Sequence, residues 1–200
     1  FTLVELIVVL VILAILASLL IPALTGYVTK AKKQAVITEA RDVWTASQAA
    51  LTECYALYPE SFNDKSNSCR FTITVNGKTY KNVGRITNGA LHAIQKKPND
   101  KTEAGSSSRR VAAQVLKYLE SDGKNPRYTF GNGGLISSAI KPSAYFNGKP
   151  KKTDVIIQIF HTKEGRIVAI NFAKDGYMAT IVPGQETTCE YDGACIASRG

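Results

Sequence analysis

From Leu6 to Ala17 every residue is Leu, Ile, Val or Ala, and from Leu6 to Leu24 the one polar side chain is Ser18. Wound as a helix, about 19 such residues match the hydrocarbon thickness of a bilayer. A soluble core helix keeps a polar face, so this run demands apolar surroundings on every side. A secretory signal peptide would begin with Met and a basic stretch; this sequence begins at Phe1 with neither, so the expectation is an amino terminus already cut. Lys30, Lys32 and Lys33 follow the run as a basic collar. Such a cluster suits the cytoplasmic side of a membrane, and equally the start of any solvated helix.

The 200 residues suffice for one packed domain plus an appendage. Up to Glu53 the charges cancel: Lys30, Lys32, Lys33 and Arg41 stand against Glu5, Glu39, Asp42 and Glu53, which leaves the whole net charge of +9 to the remainder. An apolar leader is therefore joined to a basic body that prefers water. With 15 Gly and 7 Pro the chain is too poor in both for a fibrous or low-complexity protein, and its aromatics argue against disorder.

Glu5 is the exception within the leader. An ionised carboxylate at the end of an apolar helix costs several kcal/mol unless it has a partner. One reading has it reach headgroups and favour the positive end of the helix dipole. A sharper one pairs it with the free amine of Phe1 in a neighbouring copy, which would set the axial register of a helical stack.

The order Phe1-Thr2-Leu3-Val4-Glu5-Leu6, the unbroken apolar run, Pro22 and the Lys-rich continuation resemble the amino-terminal segment of mature type IV pilins and pseudopilins over roughly the first 30 residues. The resemblance implies cleavage by a prepilin peptidase just before Phe1, N-methylation of Phe1, and a docking role for Glu5. It also implies residence in the cytoplasmic (inner) membrane before the pilus assembly machinery builds a helical homo-oligomer into an extracellular pilus. Many of these proteins carry Gly where this chain has Ala14; Ala favours helix and Gly opposes it, so the melting that such a Gly permits loses its cause here. Pro22 removes a backbone donor and is expected to bend or break the helix.

Beyond Pro22 the pattern becomes one-sided: Val36, Ala40, Val43, Ser47, Ala50, Leu51 and Cys54 recur at helical spacing with Trp44 widening the stripe as a core anchor. Gln34, Thr38, Arg41, Thr45 and Gln48 lie elsewhere on the wheel. One helix from near Thr2 to about Tyr55 is expected, on the order of 80 Å long. Further on, Phe71–Val75 and Thr79–Val83 flank the turn signal Asn76-Gly77. Short helices are expected over Ala90–Lys96 and Arg109–Glu120, the second capped by Ser106–Ser108 with Val111, Val115, Leu116 and Leu119 inward; Lys97–Ser108 is expected to be exposed. The last third reads as antiparallel sheet: Asp154–His161, Arg166–Ala173 and Tyr177–Val182, joined by Lys163-Glu164-Gly165 and Asp175-Gly176, with Tyr128–Phe130 and Leu135–Ile140 as additional strands.

The expectation is thus an α+β fold in which a long amino-terminal helix packs on an antiparallel sheet, as in pilin heads. Residues 1–28 form the membrane and filament-core helix, 29–55 its amphipathic continuation, 56–127 a connecting region and 128–200 the sheet and C-terminal region. Four cysteines, Cys54, Cys69, Cys189 and Cys195, suggest disulfides in an exported head and lack zinc-site spacing. Short loops favour Cys54–Cys69 and Cys189–Cys195, with a crossed pairing open; the resemblance supports the second pair more.

No catalytic, cofactor or metal constellation is evident. His92 and His161 stand without a nucleophile or ligand set, Gly131-Asn132-Gly133-Gly134 reads as a turn, and Glu186, Glu190 and Asp192 match no calcium-loop spacing. Lys141, Lys149, Lys151 and Lys152 around Tyr145 and Phe146, and the pair Arg109 and Arg110, are candidates for binding DNA or another anion, although solubility explains the same charge. The expected function is a structural, non-enzymatic pilus subunit serving adhesion, motility or DNA uptake. The alternatives are a pseudopilin of a secretion or competence machine, and a membrane-anchored binding module.

Overall fold

A computed structural model describes residues 2–62, 69–75, 77–86, 107–119, 128–130 and 155–191. The chain forms two compact units, Phe1–Ala35 and Val36–Gly200. Helix α1 runs Leu3–Leu57, within two residues of the expected bounds. In the second unit its stripe is buried as its spacing requires: Ala40, Val43, Ser47, Ala50 and Leu51 have no exposed surface, and Val36 and Cys54 are nearly as deep. Ala40, Ser47 and Ala50 are small, so that face can approach a neighbour closely. Trp44 packs half-buried against the same core. A 3₁₀ turn, Pro59–Phe62, then delivers Phe62 to it.

Among the described residues the opposing surface is a seven-stranded sheet. Its strands are β1 (Cys69–Val75), β2 (Lys78–Ile86), β3 (Tyr128–Phe130), β4 (Val155–His161), β5 (Ile167–Lys174), β6 (Tyr177–Ile181) and β7 (Thr188–Tyr191). The order is β1-β2-β4-β5-β6-β7, with β3 also paired to β4. The antiparallel pairing expected for the last third holds from β4 to β7, while β3 runs parallel to β4, Tyr128 facing Val155. Three residues carry no signal of strand direction; β2 takes Ile159–His161 of β4 and β3 takes Val155–Ile157. Helix α2, Ser107–Tyr118, buries Val111, Val115 and Leu116 as expected, with Ala112 added. The helix expected over 90–96, the strand over 135–140 and all but the last two residues of the stretch 97–108 expected to be exposed lie outside the described residues; 107 and 108 open α2.

Val43, Ala50 and Leu51 of α1, Val111 and Val115 of α2, and Phe130, Ile157, Ile170 and Phe172 of the sheet share one core. At about 1.5–3 kcal/mol for each large apolar side chain buried, this layer is the principal stabilising term of the head. Gln48, which the helical wheel places among polar residues, fastens the β4–β5 hairpin to α1. Its Nε2 donates to the Gly165 carbonyl and its Oε1 accepts from the Ile167 amide, both at 3.0 Å. Gly165 has φ of 72°, and a β-carbon there would stand 2.9 Å from Tyr55 Cβ. Turn conformation and close approach both require glycine.

The other sheet face is also buried. Ile73, Val75, Val83, Phe160, Val168, Ala169 and Val182 form a second cluster there. Beside them runs a polar row in direct cross-strand register, Gln158 facing Asn171 and Asn171 facing Thr180. Asn171 Nδ2 donates to Gln158 Oε1 at 3.3 Å, and Thr180 Oγ1 donates to Asn171 Oδ1 at 2.9 Å. A slip of one residue would turn these amides to the apolar core, so the row fixes register. Asn171→Leu is expected to cost about 1–3 kcal/mol in denaturant unfolding, because Gln158 and Thr180 would each lose a buried partner. An unchanged midpoint would show that the row contributes nothing.

His161 ends β4 with no exposed surface. Its Nδ1 lies 2.9 Å from the Thr162 carbonyl, which can only accept, so the proton sits on Nδ1, and among the described residues the buried Nε2 has no partner. Burial pushes the imidazole from its ordinary value near 6.5 down to about 4, against the opposing pull of the Thr162 bond. A folded-state value below the unfolded one means the unfolded chain gains the proton first. Stability is therefore whole above about pH 6.5 and is lost as pH falls toward 4. Between pH 7 and 5 the wild type should lose on the order of 2 kcal/mol in urea unfolding that His161→Gln does not. Parallel pH profiles would contradict this assignment.

Candidate functional site: the amino-terminal helix

The first turn of α1 closes on itself. The Thr2 amide donates to Glu5 Oε2 at 2.7 Å, and the Glu5 amide donates to Thr2 Oγ1 at 3.3 Å. This is a reciprocal capping box: Thr at the N-cap and Glu three residues on satisfy two of the backbone donors that a helix start leaves open. The signal Thr-x-x-Glu stands in the sequence at positions 2–5, and reading Glu5 only for its charge overlooks it. The carboxylate also lies at the positive end of the helix dipole. Phe1, the expected methylation site and partner of Glu5 between copies, lies outside the described residues.

From Thr2 to Lys32 every described side chain is exposed. Large apolar residues run from Leu3, 75% exposed, to Val28, 45% exposed, on all faces of the helix. By length and composition this stretch is able to cross a bilayer. Its few hydroxyls turn back onto the backbone: Ser18 Oγ donates to the Ile15 carbonyl at 2.7 Å, Thr25 Oγ1 to Pro22 at 2.9 Å and Thr29 Oγ1 to Thr25 at 3.0 Å. In hydrocarbon that closure is what a polar side chain needs. The break allowed for at Pro22 does not occur; α1 remains helical through it. Pro22 deprives the Ser18 carbonyl of a donor, but the apolar helix formers Leu19, Leu20, Ile21 and Leu24 flank it, and a broken helix would expose more unpaired groups than the one Pro removes.

The other candidates are scattered. Arg109 and Arg110 are half-buried on α2, and the Arg110 guanidinium lies 3.6 Å from the centroid of the Tyr58 ring. That stacking gives Arg110 a structural role in joining α2 to the end of α1. Beside it, Glu53 accepts from Gln114 Nε2 at 2.6 Å and from the Tyr118 hydroxyl. The cluster Lys141, Lys149, Lys151 and Lys152, like His92, Asp192 and Cys195, lies outside the described residues. Among the described residues no three His, Cys, Asp or Glu side chains gather as a metal site.

The expected Cys54–Cys69 disulfide is not formed. Its short loop made it attractive, but the helical stripe carries Cys54 into the main core, whereas Cys69 starts β1 with its Sγ 4.0 Å from His161 Nδ1. Burial, with Glu53 adding to it, pushes the Cys54 thiol up to about 11. His161 cannot act as a base toward Cys69 through Nδ1, because that nitrogen already holds a proton donated to Thr162. The partner expected for Cys189, Cys195, is among the residues not described.

Compared with models of protein families, with curated proteins and with solved structures, the chain matches none.

If the capping box holds the helix start, Glu5→Ala should fray it by about 1 kcal/mol, while Glu5→Gln, which keeps a side-chain acceptor, should lose much less. Amide hydrogen exchange of residues 2–7 in detergent micelles reads this directly. Equal protection in wild type and Glu5→Ala would contradict the box.

Proposed function

We propose that this chain is a structural subunit of a type IV pilus, held in a membrane by α1 before assembly and packed through the same helix against copies of itself afterwards. The observation that carries the reading is the helix surface from Leu3 to Val28, apolar and exposed on every side. Such a surface is stable only in hydrocarbon or among other apolar helices. Lipid offers the first environment and a helical stack the second. The amino-terminal sequence, resembling pilins from Phe1 to the Lys-rich collar, supports the stack. The α+β head, with α1 contributing its core stripe, is compatible with that family. The function is structural, with adhesion, motility or DNA uptake as its outcome.

A second reading, a membrane-anchored binding module that never polymerises, is favoured by one observation: Glu5 is satisfied within its own first turn by Thr2. It then requires no neighbour. Substitution separates the readings. Glu5→Gln keeps the cap and removes the charge; if the charge docks subunits, this variant should insert in the membrane as wild type does yet yield few or no filaments. Filaments of wild-type number from Glu5→Gln would remove the docking role.

The direct test is to shear filaments from the native cells and take the intact mass of their principal protein. A pilus subunit of this kind appears there as this chain, heavier by one methyl group. Its absence from the filaments with retention in the membrane fraction would favour the anchored module.

A further inference from the structure

We propose that Lys30, Lys32 and Lys33, together with Tyr27, form a collar that binds the anionic headgroups of phospholipids around the membrane-resident helix. The inference rests on the membrane residence proposed above and adds the lipid class to it. Tyr27 is 74% exposed at the end of the apolar surface, where an aromatic ring with a polar tip suits the boundary between hydrocarbon and water. Lys30 and Lys32 are exposed and Lys33 is partly so.

At 3.6 residues per turn the three ammonium groups spread over about 160° of the helix circumference, and the collar from Tyr27 to Lys33 is about 9 Å deep. That depth is comparable with a headgroup layer. No Asp or Glu occurs between Glu5 and Glu39, so none of the lysines has a carboxylate three or four residues away on the helix. Among the described residues none of the three takes part in an ion pair. The nearest acid beyond them, Glu39, is bonded to Lys174.

The same surface has room for a ligand. Thr25, Gly26, Thr29, Lys30 and Lys33 line one shallow open notch, and among the described residues nothing but the helix's own adjacent backbone lies within 4 Å of where a β-carbon on Gly26 would stand. The threonine hydroxyls bordering it donate to the backbone, which leaves the lysines as the notch's side-chain donors. A phosphodiester beside Gly26 would meet the ammonium groups of Lys30 and Lys33 from one side of the helix while its acyl chains continue along the apolar surface below. Charge complementarity and continuity with the apolar span together select a lipid phosphate.

The test uses the full chain reconstituted in phosphatidylcholine vesicles carrying traces of spin-labelled phosphatidylglycerol or phosphatidylcholine, and reads the fraction of each label held motionless at the protein. Phosphatidylglycerol should be preferred several-fold, since one lysine at an anionic surface is worth about a fivefold change in association. The preference should fall toward one in 1 M salt, where screening acts over about 3 Å. It should fall likewise in the K30Q/K32Q/K33Q variant. The salt titration on wild type stands by itself if that variant misfolds. A chain that floats with the vesicles but holds both labels equally, or whose preference survives salt, overturns the collar while leaving membrane residence intact. A chain that does not float with the vesicles overturns membrane residence and the collar with it.

Discussion

A backbone that leaves water must satisfy its own hydrogen bonds, and the helix of the first unit carries the side-chain closures that such a transfer would require. The helix meets it at the points where the sequence offers a polar group. Thr2 and Glu5 exchange two bonds at the open end, and Ser18, Thr25 and Thr29 return their hydroxyl protons to carbonyls three or four residues back. What remains outward between Leu6 and Leu24 is hydrocarbon. Glu5 thereby has two separable properties, an acceptor that completes the first turn and a charge at the end of an apolar surface. A glutamate fulfils both where a glutamine fulfils the first alone.

The head is governed by the complementary constraint, that two layers must bury their apolar faces against each other without leaving polar atoms stranded. Small residues on α1 meet bulky ones on the strands, and where the hairpin turn crosses the helix a single amide, Gln48, serves both a carbonyl and an N–H of the turn. On the far face the row Gln158–Asn171–Thr180 keeps three strands in one register. His161 shows what such burial costs: one of its nitrogens is satisfied, and the other is enclosed with no partner among the described residues.

Much of this was legible in the residues because it follows from period and composition. The apolar run, the stripe from Val36 to Cys54, the hairpin after Val75 and the inward face of α2 each repeat a signal over several residues. Features that depend on one residue meeting a distant one were not legible. Gln48 is polar on a helical wheel until the turn at Gly165 arrives beside it. The direction of β3 is decided by β4, not by Tyr128–Phe130, and β7 is four residues long with Tyr191 its only large apolar side chain. Loop length suggested Cys54–Cys69, yet helical phase and strand position take the two sulfurs to different neighbours. The capping box is another matter: Thr2 and Glu5 are local, and attention to the charge of Glu5 obscured its geometry.

The boundary in burial along α1 has a further consequence. Val36 is the first residue whose side chain enters the core, and none of those described before it is buried. The described side chains among residues 3–28 are exposed, so substitutions there that preserve apolarity fill no space and vacate none in a core. Two different demands therefore meet in one polypeptide. Along the first stretch only composition is tested, whereas from Val36 onward shape is tested as well.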